Sequence, residues 1–164
     1  MHRTGIGFDI HRLAAGRRLV MGGVTIPHAK GLVGHSDADV LSHAVADALL
    51  GAVAAGDIGQ HFPNTDPAWK DADSLDLLRR VAAIVAVRGG RIGNVDATLL
   101  AERPRLAPHI PAMRRNLART LKLAVTAVSV KATTLERLGA LGRQEGIAAM
   151  AVATVDLRKA RRKV

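Results

Sequence analysis

Asp9 and His11 stand two residues apart in Phe8-Asp9-Ile10-His11, and a further histidine, His43, closes the run Gly34-His35-Ser36-Asp37-Ala38-Asp39-Val40-Leu41-Ser42-His43. In an extended strand, residues two apart share a face. Asp9 and His11 therefore present a carboxylate oxygen and an imidazole nitrogen side by side, and His43 can supply a third ligand. One carboxylate and two imidazoles leave a tetrahedral ion with an open position, which is the arrangement of a catalytic zinc site rather than a closed structural one. The chain has no Cys, so disulfide and thiolate-metal chemistry are excluded. Nitrogen and oxygen ligands suit zinc, manganese or cobalt.

These groups need a strand and a second element to bring them together. Residues 3–10 and 18–26 read as two strands joined through the polar Gly16-Arg17-Arg18 turn, which predicts a hairpin. From Ser36 to Ala55, apolar residues recur at Leu41, Ala44, Val45, Ala48, Leu49 and Ala52, the spacing of an amphipathic helix. Ser36 reads as its N-cap, with Asp39 completing a capping-box pattern. Asp39, His43 and Asp47 follow at four-residue intervals, so they share a face away from the apolar stripe. Alone, that is a solvated polar face with an incidental histidine; coupled to Asp9 and His11, it is a ligand face.

Residues 56–73 carry Gly, Pro, Asn and Asp without periodicity and read as a long lid or binding loop. Helices are predicted at 74–87 and 108–121, and strands at 94–101, 127–132 and 147–157, the last apolar enough to be central. The only aromatics are Phe8, Phe62 and Trp69, so Ala, Val, Leu and Ile must build the core. At 164 residues and 48% hydrophobic content, the composition fits one domain with a real core.

The net charge is +10, and part of it lies in a basic tail, residues 158–164, which reads as a solvated end rather than a nucleic-acid arm. Few aromatics means few stacking platforms for single strands, and an anionic small substrate accounts for a basic protein equally well. No charged segment followed by a long apolar stretch appears near Met1, so the expectation is a cytoplasmic enzyme without a membrane partner.

Taken together, several phrases resemble the 2-C-methyl-D-erythritol 2,4-cyclodiphosphate synthase family of the non-mevalonate isoprenoid route. They are Gly7-Phe8-Asp9-Ile10-His11, Gly34 to Val40, Asp57-Ile58-Gly59 with Phe62 to Pro67, Gly93-Asn94-Val95-Asp96, Pro108 to Arg114, Val130 to Glu136, and Gly142 to Ala148. The resemblance covers residues 1–157 and leaves only the tail outside. It implies an α+β fold with a mixed sheet and helices packed on one face, and a homotrimer whose active sites lie between subunits. It also implies cyclisation of 4-diphosphocytidyl-2-C-methyl-D-erythritol 2-phosphate with release of CMP. The same three ligands would serve a metal-dependent phosphohydrolase, the competing enzyme reading.

By position, the resemblance makes Asp9, His11 and His43 zinc ligands. It assigns His35 and Thr134 to transition-state stabilisation, and Ser36 with His35 to substrate contacts. Asp57, Ile58 and Gly59 would meet the erythritol part, beside the mobile segment Phe62, Pro63, Asn64, Thr65 and Asp66. Ala101, Glu102, Arg103, Pro104, Arg105, Leu106 and Ala107 would form the cytidine pocket. Thr133, Thr134, Leu135, Glu136 and Arg143 would face the diphosphate, with Glu136 holding a second divalent ion, magnesium or manganese. This chain departs from the family pattern at Asn64 (usually Asp), Ala38 (usually Gly), Leu135 (usually Thr) and Ala140 (often Phe). Ala140 would open the cavity near the trimer axis that relatives use for isoprenoid diphosphates.

Other features read more plainly. His61 and His109 lack a spaced partner and read as loop and helix-start residues, and His28 as a turn residue. Gly22-Gly23 lacks the lysine-bearing phosphate-loop pattern and reads as a strand-end turn. Asp47 reads equally as support for His43 or as a solvated carboxylate.

Overall fold

A computed structural model describes residues 1–157, so the basic tail lies outside the described residues. Strand β1 (His2–Ala15) is followed by the short strands β2 (Leu19–Met21), β3 (Val24–Ile26) and β4 (Lys30–Leu32), then helix α1 (Val40–Ala52). A short turn of helix α2 (Ile58–His61) and a 3-10 turn (Pro67–Trp69) lead into α3 (Ser74–Val87), β5 (Gly90–Leu100) and α4 (Ile110–Leu121). Strand β6 (Val128–Thr133), the short α5 (Gly139–Gly142) and β7 (Gly146–Leu157) complete the described residues. The main sheet has the order β4-β1-β7-β5-β6, with β5 and β6 parallel and the other pairs antiparallel. The expected mixed sheet is thus present, with β7 at its centre, and no helix of the described residues is long and apolar enough to cross a membrane.

Side-chain alternation explains why the helices take one face. Along β1, Gly5 and Gly7 are buried beneath α1 and Leu13 is buried farther along, whereas Ile6, Phe8 and Ile10 face outward and are exposed. Strand β7 continues the pattern with Ala149, Ala151, Ala153 and Val155 inward and Met150 and Val152 outward. Small inward residues let α1 lie close. A Cβ on Gly7 would fall 2.0 Å from the Ala44 carbonyl oxygen, and one on Gly5 equally near that of Ala48. Helix backbone therefore rests directly on strand backbone.

Three expectations need correction. Residues 18–26 do not pair with β1; β2 and β3 form their own hairpin across Gly22-Gly23, while β1 pairs with β4 and β7. Both glycines have positive φ, as a two-residue hairpin loop of this hand requires, which is why the run breaks at its centre. Helix α1 starts at Val40 with Asp39, not Ser36, as its N-cap. Finally, Asp39 is fully buried rather than on a polar face. Its carboxylate accepts from the Gly22 and Gly23 N–H groups at 2.9 and 2.8 Å and from Ser42 N–H at 3.0 Å, pinning the β2-β3 turn to the start of α1. α1 is buried nearly all round, and its partly open stripe is His43, Asp47 and Gly51.

Candidate active site

Beyond Gly5 and Gly7, the inward positions of β1 become Asp9 and His11, just where α1 presents His43. The three side chains converge. Asp9 Oδ2 lies 2.9 Å from His11 Nε2 and 3.0 Å from His43 Nδ1, and the two ring nitrogens are 3.4 Å apart. A tetrahedral ion with bonds near 2.0–2.1 Å has ligand edges of about 3.3 Å, so the donor set and its spacing fit a divalent metal. Among the described residues this is the one group of three or more His, Asp or Glu side chains that could hold an ion.

Each imidazole is oriented from behind. His11 Nδ1 donates to the Val33 carbonyl at 2.8 Å, which leaves the Nε2 lone pair for the centre. On His43 the outer nitrogen, Nε2, meets Ser74 Oγ at 2.9 Å and Ser36 Oγ at 3.2 Å. Burial would raise the Asp9 carboxyl, but hydrogen bonds and charge from His11 and His43 outweigh it and hold the group well below the ordinary aspartate range. His11 is raised above its usual 6.5: burial opposes this, and the Asp9 hydrogen bond and charge, aided by the Val33 carbonyl, prevail.

The centre opens into a cleft of about 190 Å³ lined by His35, Ser36, Ile58, Gly59, Phe62 and Asn64, together with Trp69 and Leu77. Asp57 does not line it; next in sequence to Ile58, it caps α2 through Gln60 N–H at 2.9 Å. Asp66 caps the 3-10 turn through Ala68 N–H at 2.9 Å, and its carbonyl meets His35 Nε2 at 3.2 Å. Pro63 and Thr65 belong to the same segment without lining the cleft. Asp47 proves to be neither of the expected alternatives: it accepts the Ile58 N–H at 2.7 Å and so positions the start of α2. His61 donates to or accepts from nothing at the centre and meets the Ala55 carbonyl instead.

A second cleft, of about 340 Å³, is lined by Ala101, Glu102, Arg103, Pro104, Arg105, Leu106 and Ala107 with Ala132, Thr133 and Thr134. Glu102 Oε2 accepts from Leu135 N–H at 3.2 Å, bracing the turn in which Glu136 and Arg137 both take positive φ. Thr134 Oγ1 donates to Glu136 Oε1 at 2.6 Å. Arg143 is exposed and pairs with Glu145 at 2.6 Å, so it joins neither cleft within the chain. Ala140 lines another hollow with Ile10, Arg12 and Leu141, which adjoins the metal cleft at His11. The two main clefts share no lining residue.

The model of the YgbB family matches residues 2–156. The chain belongs to the YgbB family. YgbB-family relatives named 2-C-methyl-D-erythritol 2,4-cyclodiphosphate synthase, from Bacillus cereus (strain B4264) and Bacillus mycoides (strain KBAB4), are each 57% identical to it over 152 residues, 93% of this chain and 96% of theirs. Among solved structures, the bifunctional IspDF from Campylobacter jejuni superposes with a TM-score of 0.93 at 40% identity, covering 97% of this chain and 43% of that one. A CDP-bound 2C-methyl-D-erythritol-2,4-cyclodiphosphate synthase superposes with a TM-score of 0.87 at 38% identity, covering 94% and 100%.

The sequence pointed to the three ligands but not to Ser74, Asp37, Trp69 or Leu77. Asp37 stood in the quoted run and Ser74 opened a predicted helix, yet neither spacing says that Ser74 meets His43 or that Asp37 meets Ser74.

Proposed function

We propose that this chain converts 4-diphosphocytidyl-2-C-methyl-D-erythritol 2-phosphate to 2-C-methyl-D-erythritol 2,4-cyclodiphosphate and CMP, as a phosphorus-oxygen lyase of isoprenoid precursor synthesis. The observation that carries it is the convergence of Asp9, His11 and His43 beside an open cleft, in a chain 57% identical to curated synthases along nearly its whole length.

The reaction needs no protein nucleophile. An oxygen of the substrate's 2-phosphate attacks the erythritol-side phosphorus of its diphosphate, a new P–O bond closes the ring, and the P–O bond to CMP breaks. What the chain must do is fold a flexible substrate so that two anionic groups meet, and such preorganisation is worth roughly 7–11 kcal/mol in well-oriented intramolecular reactions. In this reading Asp57, Ile58 and Gly59 hold the erythritol part, and the Phe62 to Asp66 segment covers it. His35 and Ser36 contact the phosphoryl group at the mouth of the centre. Backbone groups of Ala101 to Ala107 receive the cytosine, while Thr133, Thr134, Leu135 and Arg143 face the diphosphate. Asp9, His11 and His43 would hold zinc and Glu136 would hold magnesium or manganese, and these ions would supply positive charge to phosphoryl oxygens.

We further place the active site between subunits of a homotrimer. Two observations support this. The metal cleft and the second cleft have no residue in common, so one substrate spans them most simply across an interface. Ile6, Phe8, Ile10, Met150 and Val152 also form an exposed apolar band on the sheet face that no helix covers, as an interface would. Residues 1–157 constitute the synthase unit, working in the cytoplasm, and 158–164 a basic tail outside it.

Purified protein incubated with the cytidylyl substrate and divalent metal tests the reading. A cyclic diphosphate plus CMP, resolved by phosphorus NMR, is expected. Release of linear phosphate would instead identify a phosphohydrolase.

A further inference from the structure

Behind His43 lies a chain of contacts that neither capping nor packing requires. Ser74 is buried and is the first residue of α3, but the helix is capped by Asp73, whose Oδ1 accepts the Leu75 N–H at 2.8 Å. The Ser74 hydroxyl is therefore not needed for the cap. It lies between two groups instead, 2.9 Å from His43 Nε2 and in hydrogen-bond contact with Asp37 Oδ1. Asp37 Oδ2 accepts the Ser74 backbone N–H at 3.1 Å, and Oδ1 also takes the Asp39 N–H at 3.2 Å, so this carboxylate is fixed by donors from both sides.

The direction of these bonds follows from the inventory of donors. An ionised carboxylate only accepts, so the single Ser74 hydroxyl proton goes to Asp37. Toward His43, Ser74 Oγ can then only accept, and Nε2 must carry the ring proton. That leaves the Nδ1 lone pair free, and Nδ1 is the nitrogen 3.0 Å from Asp9 Oδ2. His11 is set in the opposite tautomer by the Val33 carbonyl. The two imidazoles thus need different partners to aim different nitrogens at one point.

We infer that Asp37 and Ser74 form a positioning relay that fixes the tautomer and ring orientation of the His43 ligand. The relay also joins the centre to the end of the substrate-side segment. Asp37 N–H donates to the Ala72 carbonyl at 3.1 Å and Asp71 N–H to the His35 carbonyl at 2.9 Å, so residues 71–74 are strapped to residues 35–37. Partners of this kind behind a metal-bound histidine typically govern affinity by about 10–100-fold.

This inference rests on the metal-centre reading, and cobalt titration of the full chain separates the two. The probe is Co²⁺ added to metal-free protein, followed by its visible spectrum, with zinc affinity measured by competition against a chromophoric chelator. Ser74→Ala and Asp37→Asn should each bind about 10–100-fold more weakly than the parent chain, with an altered cobalt spectrum. Asp73→Ala serves as control, since it removes the side-chain cap of α3 without touching His43; it should lower the melting temperature yet bind cobalt as the parent does. Parent-like affinity and spectrum in both Ser74→Ala and Asp37→Asn would overturn the relay while leaving the centre intact. Equal weakening in Asp73→Ala would also overturn it, by tracing the effect to helix stability. Failure of the parent chain itself to bind cobalt would remove the centre, and the relay with it.

Discussion

Gly7 lies flat against Ala44, so that any side chain on it would run into the helix backbone at 2.0 Å. This contact sets the height of α1 above β1, and the distance from His43 to Asp9 and His11 depends on it. Gly7→Ala should therefore do two things. Backbone cannot yield as a flexible side chain does, so the fold should lose about 3 kcal/mol, the upper end for overpacking, or more. The part that still folds should bind divalent metal at least tenfold more weakly, because α1 is lifted. Gly51→Ala is the contrast: its Cβ would meet nothing nearer than 3.8 Å, and as a helix substitution it should be neutral or slightly stabilising. Thermal melts and cobalt titration of both variants check the pair.

His43→Ala removes one of three donors while α1 keeps its apolar contacts through Leu41, Ala44, Val45, Ala48 and Leu49. The expected outcome is a folded protein with a parent-like circular dichroism spectrum, no retained zinc, and CMP release reduced by orders of magnitude. Metal content and turnover are the measurements. Full activity in the metal-free variant would contradict the centre.

Local patterns gave most of the elements, because periodicity and turn residues act over short distances. The near-continuous apolar run of β7 and the 3.6-residue spacing of α1 are such patterns, and so is the Asp9-His11 pair on one strand face. What escaped them was set by contacts distant in sequence. Asp39 looked like a member of the polar face of α1, but its carboxylate is consumed by the Gly22-Gly23 turn, and no spacing on the helix reveals that. Residues 18–26 looked like one strand of a hairpin with β1, yet two glycines at positive φ folded the run on itself. The Ser74 contact to His43 is equally invisible, since it spans 31 residues between two elements. The residues lining the two clefts were singled out through family resemblance, not through residue patterns.

Asp47 carries a pH signature. Its carboxyl is raised above the ordinary 3.8 chiefly by burial, with the Asp57 and Asp9 charges adding to it and the Ile58 N–H opposing. A carboxyl that is raised on folding holds its proton to higher pH in the native state than in the unfolded chain. Its contribution to stability is then greatest below 3.8 and is lost as pH rises through the folded value. Asp47→Asn keeps an acceptor for Ile58 N–H without the ionisation cost. Its melting temperature should exceed the parent's at pH 7, and the difference should vanish as pH falls toward 3.8. A difference independent of pH would show that burial of the charge is not what matters.

The outer face of the sheet supplies the last prediction. Phe8 is 53% exposed opposite Met150, also exposed, and Ile6 and Val152 continue the band beside them. On a lone chain these side chains would spend apolar area on water, whereas in the proposed trimer they would be buried. A charge there costs the assembly and not the fold, since Phe8 points away from α1 and from the core. Phe8→Asp should leave the melting profile cooperative but shift the mass measured by light scattering from three chains to one. Because the metal cleft and the base cleft come from different subunits in this arrangement, CMP release should fall with it, while Asp9, His11 and His43 still bind cobalt. Retention of both the trimer mass and the activity would mean that this face is not the interface.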